Sequence, residues 1–418
     1  MAKFKINFTA WICALALFTG LVGPQLIQAQ QINNQQKQGN GSLPEEIETG
    51  LSYLLELIQK KGSTLDQAKI LPLLDFVVQS GDDTEQLKPS TRESGNGACL
   101  RAQIKAPLER ILRYEYNHRI PTFLISPNVL RLSGWYPESD IVANKVELWN
   151  KLSTLNKPLL LWGKEFEVNT PDSFSGSYYR YDLNRLIILM KHNGKKVMIS
   201  ASKMPNPSEA GKKAVIIDEK NWNYFYSGIQ GLGIRLIGML NTYIYDSASV
   251  KILYETDSAK PQTTIMLFKW LKAGWADINM VKSSHIYEGS LRFIEGLKAV
   301  IESDSLPDAD ALARQLDYIS LLPEAEIKTK IRKYSINFER IAKKHKGMSP
   351  QDYARIIADG GYAGVLNSEE RRGILALEWL KSQLGKSTLA EFDFPPPLPE
   401  KTLAETGSEI PAGKADSM

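Results

Sequence analysis

The Asn193-Gly194 pair constrains the fold of this chain more than any other local feature. It lies between two apolar runs, and an Asn-Gly pair in that setting favours a two-residue type I′ turn, because both turn positions need a positive φ. Such a turn fixes the register of the two strands that it joins. It predicts one wholly apolar hairpin face, which pairs Met190 with Val197, Ile188 with Ile199 and Leu186 with Ala201.

Strand-like runs surround this hairpin, and helical patterns precede and follow them. Apolar residues at helical spacing predict a helix from Ala98 through Leu112, before most of the strands. The strands are predicted to end near Glu255, because helical spacing begins again at Thr263. These patterns predict an α+β fold, in which a β-rich central domain with attached helices is flanked by a short N-terminal and a C-terminal helical unit.

Breaks in the apolar pattern divide the chain into segments. Residues 81–97 are mostly polar, as in a linker, and the residues after 385 are rich in proline and carry almost no apolar periodicity. The predicted segments are a signal peptide (1–29), an N-terminal helical unit (42–80), a linker (81–97), a β-rich α+β domain (98–305), a helical unit (308–385) and a disordered tail (386–418).

The first thirty residues have the layout of a secretory signal peptide. Lys3 and Lys5 precede a short apolar run, Ala10–Val22, and a Gln-rich polar stretch follows Ala29. The run is shorter than the ~20 apolar residues that a membrane span needs, although an uncleaved anchor is the alternative. Cleavage after Ala29 predicts a periplasmic or secreted protein with no transmembrane span in the mature chain.

Composition excludes several classes of function. The formal net charge is +4 over 418 residues, which argues against a general nucleic-acid binder. Loss of the signal leaves Cys99 alone, so the mature chain cannot form an internal disulfide or a zinc site with two cysteines. The histidines are far apart in the sequence, and the chain has no P-loop and no dinucleotide-binding glycine motif. We therefore expect no metal and no cofactor.

Acidic residues in the strand region are the candidates for catalysis. Glu165, Glu167, Asp172 and Asp182 lie close enough in sequence to form a paired-acid site of the kind that hydrolyses glycans. Charged side chains are also common on the wet face of strands. A cleft that holds two of these carboxylates about 5–10 Å apart would favour a hydrolase.

Two further patterns are candidates for binding. Trp222, Tyr224 and Tyr226 share one strand face by alternation, where they stack either on a ligand or in the core beneath the helices. Residues 326–346 predict a basic amphipathic helix, with a local charge of +6, that faces either solvent, an anionic envelope surface or an acidic partner. Its candidate contact residues are Lys328, Arg332 and Lys333.

The leading interpretation is an exported, non-enzymatic binding or structural module of the cell envelope or secretome. The alternative is an extracytoplasmic hydrolase of envelope glycan that uses the paired carboxylates of the 165–182 region. The sequence identifies neither the partner nor the ligand.

Overall fold

The computed structural model describes residues 41–81, 87–172, 175–234, 238–257, 262–345, 350, 353–354 and 361–390. The predicted signal peptide (1–29) and residues 391–418 of the predicted tail lie outside these ranges. Within them the fold is α+β, as the sequence predicts. No helix of the described ranges is long and apolar enough to cross a bilayer.

The strands, in chain order, are β1 (Gly41–Ser42), β2 (Leu87–Lys88), β3 (Asn96–Ile104), β4 (Leu130–Trp135), β5 (Leu159–Asn169), β6 (Ser175–Tyr178), β7 (Arg180–His192), β8 (Lys195–Lys203), β9 (Lys212–Asp218), β10 (Asn223–Gln230), β11 (Leu232–Ile234), β12 (Gly238–Leu240), β13 (Tyr243–Asp257), β14 (Gln262–Trp275) and β15 (Ile278–Asn279). The helices are α1 (Glu45–Leu57), α2 (Leu71–Gln79), α3 (Leu108–Glu115), α4 (Asp140–Ala143), α5 (Leu148–Thr154), α6 (Ser283–Ile301), α7 (Ala309–Leu321), α8 (Glu324–Lys343), α9 (Tyr362–Val365) and α10 (Ser368–Gln383).

A large antiparallel sheet is the centre of the fold. Its strands follow the spatial order β15-β14-β13-β8-β7-β5-β4, and β3 also pairs with β14. A smaller sheet, with the order β10-β9-β6, lies beside it. Because consecutive antiparallel strands need only short connections, most neighbours in the large sheet are also neighbours along the chain.

The hairpin of β7 and β8 has the register that the sequence predicts. Asn193 and Gly194 have φ angles of 48° and 75°, which are the positive values of the expected turn. All three predicted apolar pairs are present, namely Met190 with Val197, Ile188 with Ile199 and Leu186 with Ala201. The two-residue turn therefore sets which face of the central strands is apolar.

Two helices that the sequence predicts are strands in the structure. Residues 96–104 form β3, and the helix begins only at Leu108, after Pro107. Residues 262–275 form β14, the longest partner of β13. Residues 263–268 are all buried, as in a strand covered on both faces, so the helical spacing within this nearly continuous apolar run is coincidental.

One face of the large sheet is covered by α1 and α2. Alternate strand residues such as Ile188, Val250 and Phe268 belong to one hydrophobic cluster with Leu51 and Leu73 of these helices. All five side chains are completely buried. Cys99 belongs to the same cluster, and burial raises the pKa of its thiol. This face, which we call the packed face, leaves the other side of the sheet to form the site described below.

The C-terminal helices pack on the smaller sheet. Phe338 of α8 stacks on Tyr362 at a centroid distance of 4.5 Å, and Phe225 of β10 lies 6.4 Å from Phe338. One hydrophobic cluster includes these rings together with residues of α3 and α6. Side chains from the predicted β-rich domain (98–305) and from the predicted helical unit (308–385) therefore pack in the same cluster. The division into separate domains stays a prediction.

Local hydrogen bonds and a glycine define the two ends of the helix α10. Asn367 accepts a hydrogen bond from the Glu370 amide, and Glu370 accepts one from the Asn367 amide, which forms a capping box. Gly385 ends the segment with a φ of 67°. Beyond it, Leu389 donates its amide to Glu378 and accepts a hydrogen bond from Asn337, so the chain up to residue 390 is attached to α8 and α10.

Candidate functional site

A polar row crosses the face of the sheet opposite the packed face. Cross-strand pairing places Lys269 beside Ser249, Ser249 beside Ser202, and Ser202 beside Arg185. The Ser202 and Ser249 hydroxyls lie 2.9 Å apart. Because side chains alternate along each strand, these four residues all point away from α1 and α2, towards α6.

This row lies in a cavity between the sheet and α6, which we call the sheet cavity. It has a volume of about 210 Å³, and its lining includes Leu267 and Leu271 of β14 and Ile286, Gly289 and Phe293 of α6. A single water needs about 10–15 Å³ of such space, so the cavity has room for a small organic molecule. It therefore combines an apolar wall with a charged floor.

Glu165 and Glu167 share one guanidinium at the floor of this cavity. Arg185 donates from Nε to Glu165 Oε1 at 2.8 Å and also pairs with it through Nη2, which lies 3.8 Å from Glu167 Oε1. The Tyr181 hydroxyl donates to Glu167 at 2.8 Å, and Arg185 Nη1 donates to the Ser200 hydroxyl at 2.6 Å. The two carboxylates are thus adjacent, but both are already held by protein donors.

Burial shapes the electrostatics of this group. It raises the pKa of the Glu165 carboxyl, and the Arg185 guanidinium beside it reduces that rise without reversing it. Burial and the Glu167 carboxylate together raise the pKa of the Tyr181 hydroxyl. Charges held in such a place cost desolvation free energy, and apolar residues of similar volume would be about as stable. Buried groups with shifted pKa values are common at functional sites, so this network is a candidate for one.

Glu115 and Lys251 form a second buried ion pair in the cavity wall. Their side chains are 2% and 9% exposed, and Lys251 Nζ lies 5.1 Å from the centroid of the Phe293 ring. Burial disfavours the charge of Lys251, but Glu115 outweighs it and the pKa of the lysine is raised. The second oxygen of Glu115, Oε2, is buried without a hydrogen-bond donor among the described residues.

Lys269 differs from the other cations of the cavity. No hydrogen bond or ion pair joins its ammonium to any residue in the described ranges. Burial lowers its pKa, while Glu167 acts to raise it and Arg185 acts to lower it. A desolvated amine without a partner, facing an open cavity, is a group that a ligand can pair with.

The four predicted acids do not form one site. Glu165, Glu167 and Asp172 line the sheet cavity, and Asp172 is exposed at its rim. Asp182 lies opposite Phe166 in the register of β5 and β7, so its side chain points to the other face of the sheet. There it accepts a hydrogen bond of 2.8 Å from Tyr136, and Lys164 lies 3.4 Å away.

The predicted aromatic stripe lies in the core. Trp222, Tyr224 and Tyr226 are all less than one-tenth exposed and belong to the cluster under the C-terminal helices. Tyr226 makes an edge contact with Tyr178 at 5.0 Å and lies beneath the Arg131 guanidinium at 3.8 Å. These are the contacts of packed rings, and we propose no binding role for the stripe.

The predicted basic helix is present as α8. Its apolar residues, such as Ile327 and Ile331, are buried, whereas Lys328, Arg332 and Lys333 are exposed. The amphipathic arrangement is therefore as predicted, and the basic face is open to solvent.

Sequence reasoning missed the residues at the centre of the cavity. Arg185, Lys251 and Lys269 are single charges in strands, a pattern that is common on any wet strand face. Their buried setting depends on α6, which covers them from a distant part of the sequence. One signal was present in the sequence. Lys269 interrupts an apolar run, between Ile265–Phe268 and Trp270–Leu271. A charged residue in such a run is costly to bury, which marks the position as unusual.

Comparisons of this chain with known proteins assign no role to the site, so its interpretation rests on its geometry. No protein-family model matches this chain, and no curated protein matches it significantly. Within the described ranges, no three His, Cys, Asp or Glu side chains are grouped so that they could hold a metal ion.

Proposed function

We propose that this protein is a non-enzymatic binding protein that holds a small organic molecule in the sheet cavity. One observation carries the proposal, which is that a charged floor and an apolar wall enclose about 210 Å³ beneath α6. Buried charges and empty volume both lower the free energy of unfolding, so a cavity of this kind does not stabilise the fold. Ligand sites, by contrast, are typically apolar cavities with a few convergent polar groups.

The position of Gly289 supports this proposal and offers a way to test it. This residue lines the cavity from α6, and a Cβ atom built on it would meet nothing within 4 Å. The absence of a side chain there keeps space open under the helix. Gly289→Leu should therefore fill the cavity without forcing the backbone to move.

The test is a fluorescence titration with N-phenyl-1-naphthylamine, a neutral apolar dye that brightens when it leaves water. We expect the wild-type protein to bind the dye and Gly289→Leu to bind it about tenfold more weakly or worse, because the new side chain occupies its place. Glu295→Leu, which adds the same side chain at an exposed position of α6 outside the cavity, is the matched control. No dye binding, or equal binding by Gly289→Leu, would contradict the proposal.

The same protein is proposed to act outside the cytoplasm, in the periplasm or the medium, after cleavage behind Ala29. The layout of residues 1–29 supports this. The intact mass of the protein recovered from those fractions should match a chain that begins at Gln30. A cytoplasmic protein of full-length mass would contradict export.

A glycan hydrolase is the second candidate, because Glu165 and Glu167 do lie in one cavity. They are two residues apart on β5, about 7 Å along the strand, and the raised pKa of Glu165 suits a general acid. Against this, Arg185 and Tyr181 already hold both carboxylates. Release of reducing ends from purified envelope glycan, lost in Glu165→Gln, would establish the hydrolase and displace the binding proposal.

A further inference from the structure

Among the described residues that line the sheet cavity, Lys269 is the cation without a carboxylate in ion-pair contact. The other cations that line it each have a carboxylate partner, Arg185 with Glu165, Lys251 with Glu115 and Arg292 with Glu219. Among the described residues Lys269 has no such partner within hydrogen-bond reach. Glu167 acts on the Lys269 charge from within the cavity, but its contacts are with Arg185 and the Tyr181 hydroxyl and not with the Lys269 ammonium.

The surroundings of Lys269 are those of a single polar spot in an apolar wall. Across the strands it lies beside Ser249, whose hydroxyl can donate to an oxyanion while it accepts the hydrogen bond from Ser202. Along β14, Leu267 and Leu271 point to the same side, before and after it. Ile286 and Phe293 of α6 line the same space. A molecule bound here meets one cation and, around it, aliphatic and aromatic surface.

We infer that the ligand is a small organic carboxylate, whose charged end pairs with the Lys269 ammonium and whose apolar body lies between β14 and α6. The inference rests on the proposed function and specifies its ligand class. A carboxylate pairs with the cation that has no ion-pair partner among the described residues of the cavity, and a charge-assisted hydrogen bond is stronger in such a place than in water. An amine in the same position would be repelled by the Lys269 ammonium that it faces.

The test compares three probes that share one chain and differ in one end group. Octanoate, octanol and octylamine are each used to displace N-phenyl-1-naphthylamine from the wild-type protein at neutral pH. We expect octanoate to displace the dye at the lowest concentration and octylamine at the highest. The variants are Lys269→Met, which keeps the length of the side chain without its charge, and Lys269→Arg, which keeps the charge.

Lys272→Met is the matched control, because Lys272 lies on the same strand with its side chain on the other face, 2.7 Å from Asp277. Lys269→Met should weaken octanoate by about 10- to 100-fold, the loss expected for one charge-assisted hydrogen bond. Its affinity for octanol should not change, which also shows that the variant is folded. Lys269→Arg should retain a preference for octanoate, and Lys272→Met should behave as the wild type.

The possible failures are distinguishable. Equal displacement by octanoate and octanol, with no effect of Lys269→Met, would overturn the carboxylate inference. Dye binding that is weakened by Gly289→Leu would still support the proposed binding function in that case. Strongest displacement by octylamine would overturn the inference in the same way. If the dye itself does not bind, the proposed function fails and the inference fails with it.

Discussion

The two faces of the large sheet are built from the same strands but have opposite chemistry. On the packed face, Ile188, Val250 and Phe268 lie among the side chains of α1 and α2 with no exposure to solvent. On the face towards α6, the same strands present Arg185, Lys251 and Lys269 around a cavity. The packed face is thus built as a hydrophobic core, whereas the cavity face holds buried charges at a cost in desolvation free energy. We attribute that cost to the proposed ligand site.

The largest effect on stability should come from truncation on the packed face. Phe268→Ala removes a ring that is completely buried between β3, β13 and the helices. We expect a loss of about 3–5 kcal/mol in the free energy of unfolding, because both apolar burial and packing are lost. Urea denaturation followed by circular dichroism measures it. A loss below about 1 kcal/mol would mean that this face does not carry the core.

Removing Arg185 should cost somewhat less and for a different reason. Arg185→Met leaves Glu165 buried without its partner, which we expect to cost about 3 kcal/mol, near the lower limit for a broken buried pair. The double variant Arg185→Met with Glu165→Leu should recover most of that loss, since the carboxylate that Arg185 holds most closely is gone and Glu167 keeps the hydrogen bond from Tyr181. Urea denaturation of both variants decides this, and a double variant as unstable as the single one would show that the ion pair itself stabilises the fold.

Lys269→Met should leave stability unchanged or raise it slightly, by up to about 1 kcal/mol, since it removes a desolvated charge that has no partner. The same measurement tests this. A loss of stability comparable to that of Arg185→Met would mean that Lys269 belongs to the structural network and is not held open for a ligand.

The pH dependence should separate Lys269 from its neighbours. Its pKa is lowered in the folded protein, so the unfolded chain binds the proton more tightly. The penalty that Lys269 imposes on folding is therefore present at low pH and disappears as the pH rises through the lowered pKa towards the ordinary value of 10.5. Relative to Lys269→Met, the wild type should gain stability over that interval.

Octanoate affinity should change in the opposite direction, falling as the amine loses its proton. The charges that act on Lys269 are Glu167 on β5 and Arg185 on β7, and a third titratable group, His285 of α6, lines the same cavity. The further charged or titratable lining residues of that cavity are Glu115, Tyr116, Glu165, Asp172, Tyr181, Lys251 and Arg292. Because Lys269→Met keeps all of these groups, the difference between the two proteins isolates the lysine. Parallel pH profiles for both proteins would contradict the assignment.

A separate prediction, about membrane association and not about the stability of the sheet, concerns the basic face of α8. If it meets an anionic envelope surface, replacing Lys328, Arg332 and Lys333 by Gln should abolish sedimentation with anionic vesicles at low salt, at about 1 kcal/mol for each charge. Dye binding in the sheet cavity should stay as in the wild type. Sedimentation that is the same for both proteins would assign this face to solvent.

The parts of the fold that depend on a few neighbouring residues could be predicted from the sequence. The Asn193-Gly194 turn sets its own register, and Asn367 caps its own helix, so both followed from a few neighbouring residues. The strand β14 could not be predicted this way. Its apolar residues lie close enough together to satisfy helical and strand spacing alike, and only pairing with β3 and β13 decides between them.

The site was predicted in part, for a similar reason. Glu165 and Glu167 share a face because they are two residues apart on one strand. The position of Asp182 depends on the register of β5 against β7, and β6 separates these strands along the chain, so no turn sets that register. Lys269 owes its role to the cover that α6 provides, which no local pattern shows.

A crystal structure of the protein with 6-bromohexanoate would show whether an organic carboxylate binds in the sheet cavity at Lys269, since anomalous scattering locates the bromine. We expect a bromine peak in the sheet cavity between β14 and α6, with the carboxylate within hydrogen-bond distance of Lys269 Nζ. A cavity that holds only water at saturating 6-bromohexanoate, or a carboxylate bound away from Lys269, would contradict it.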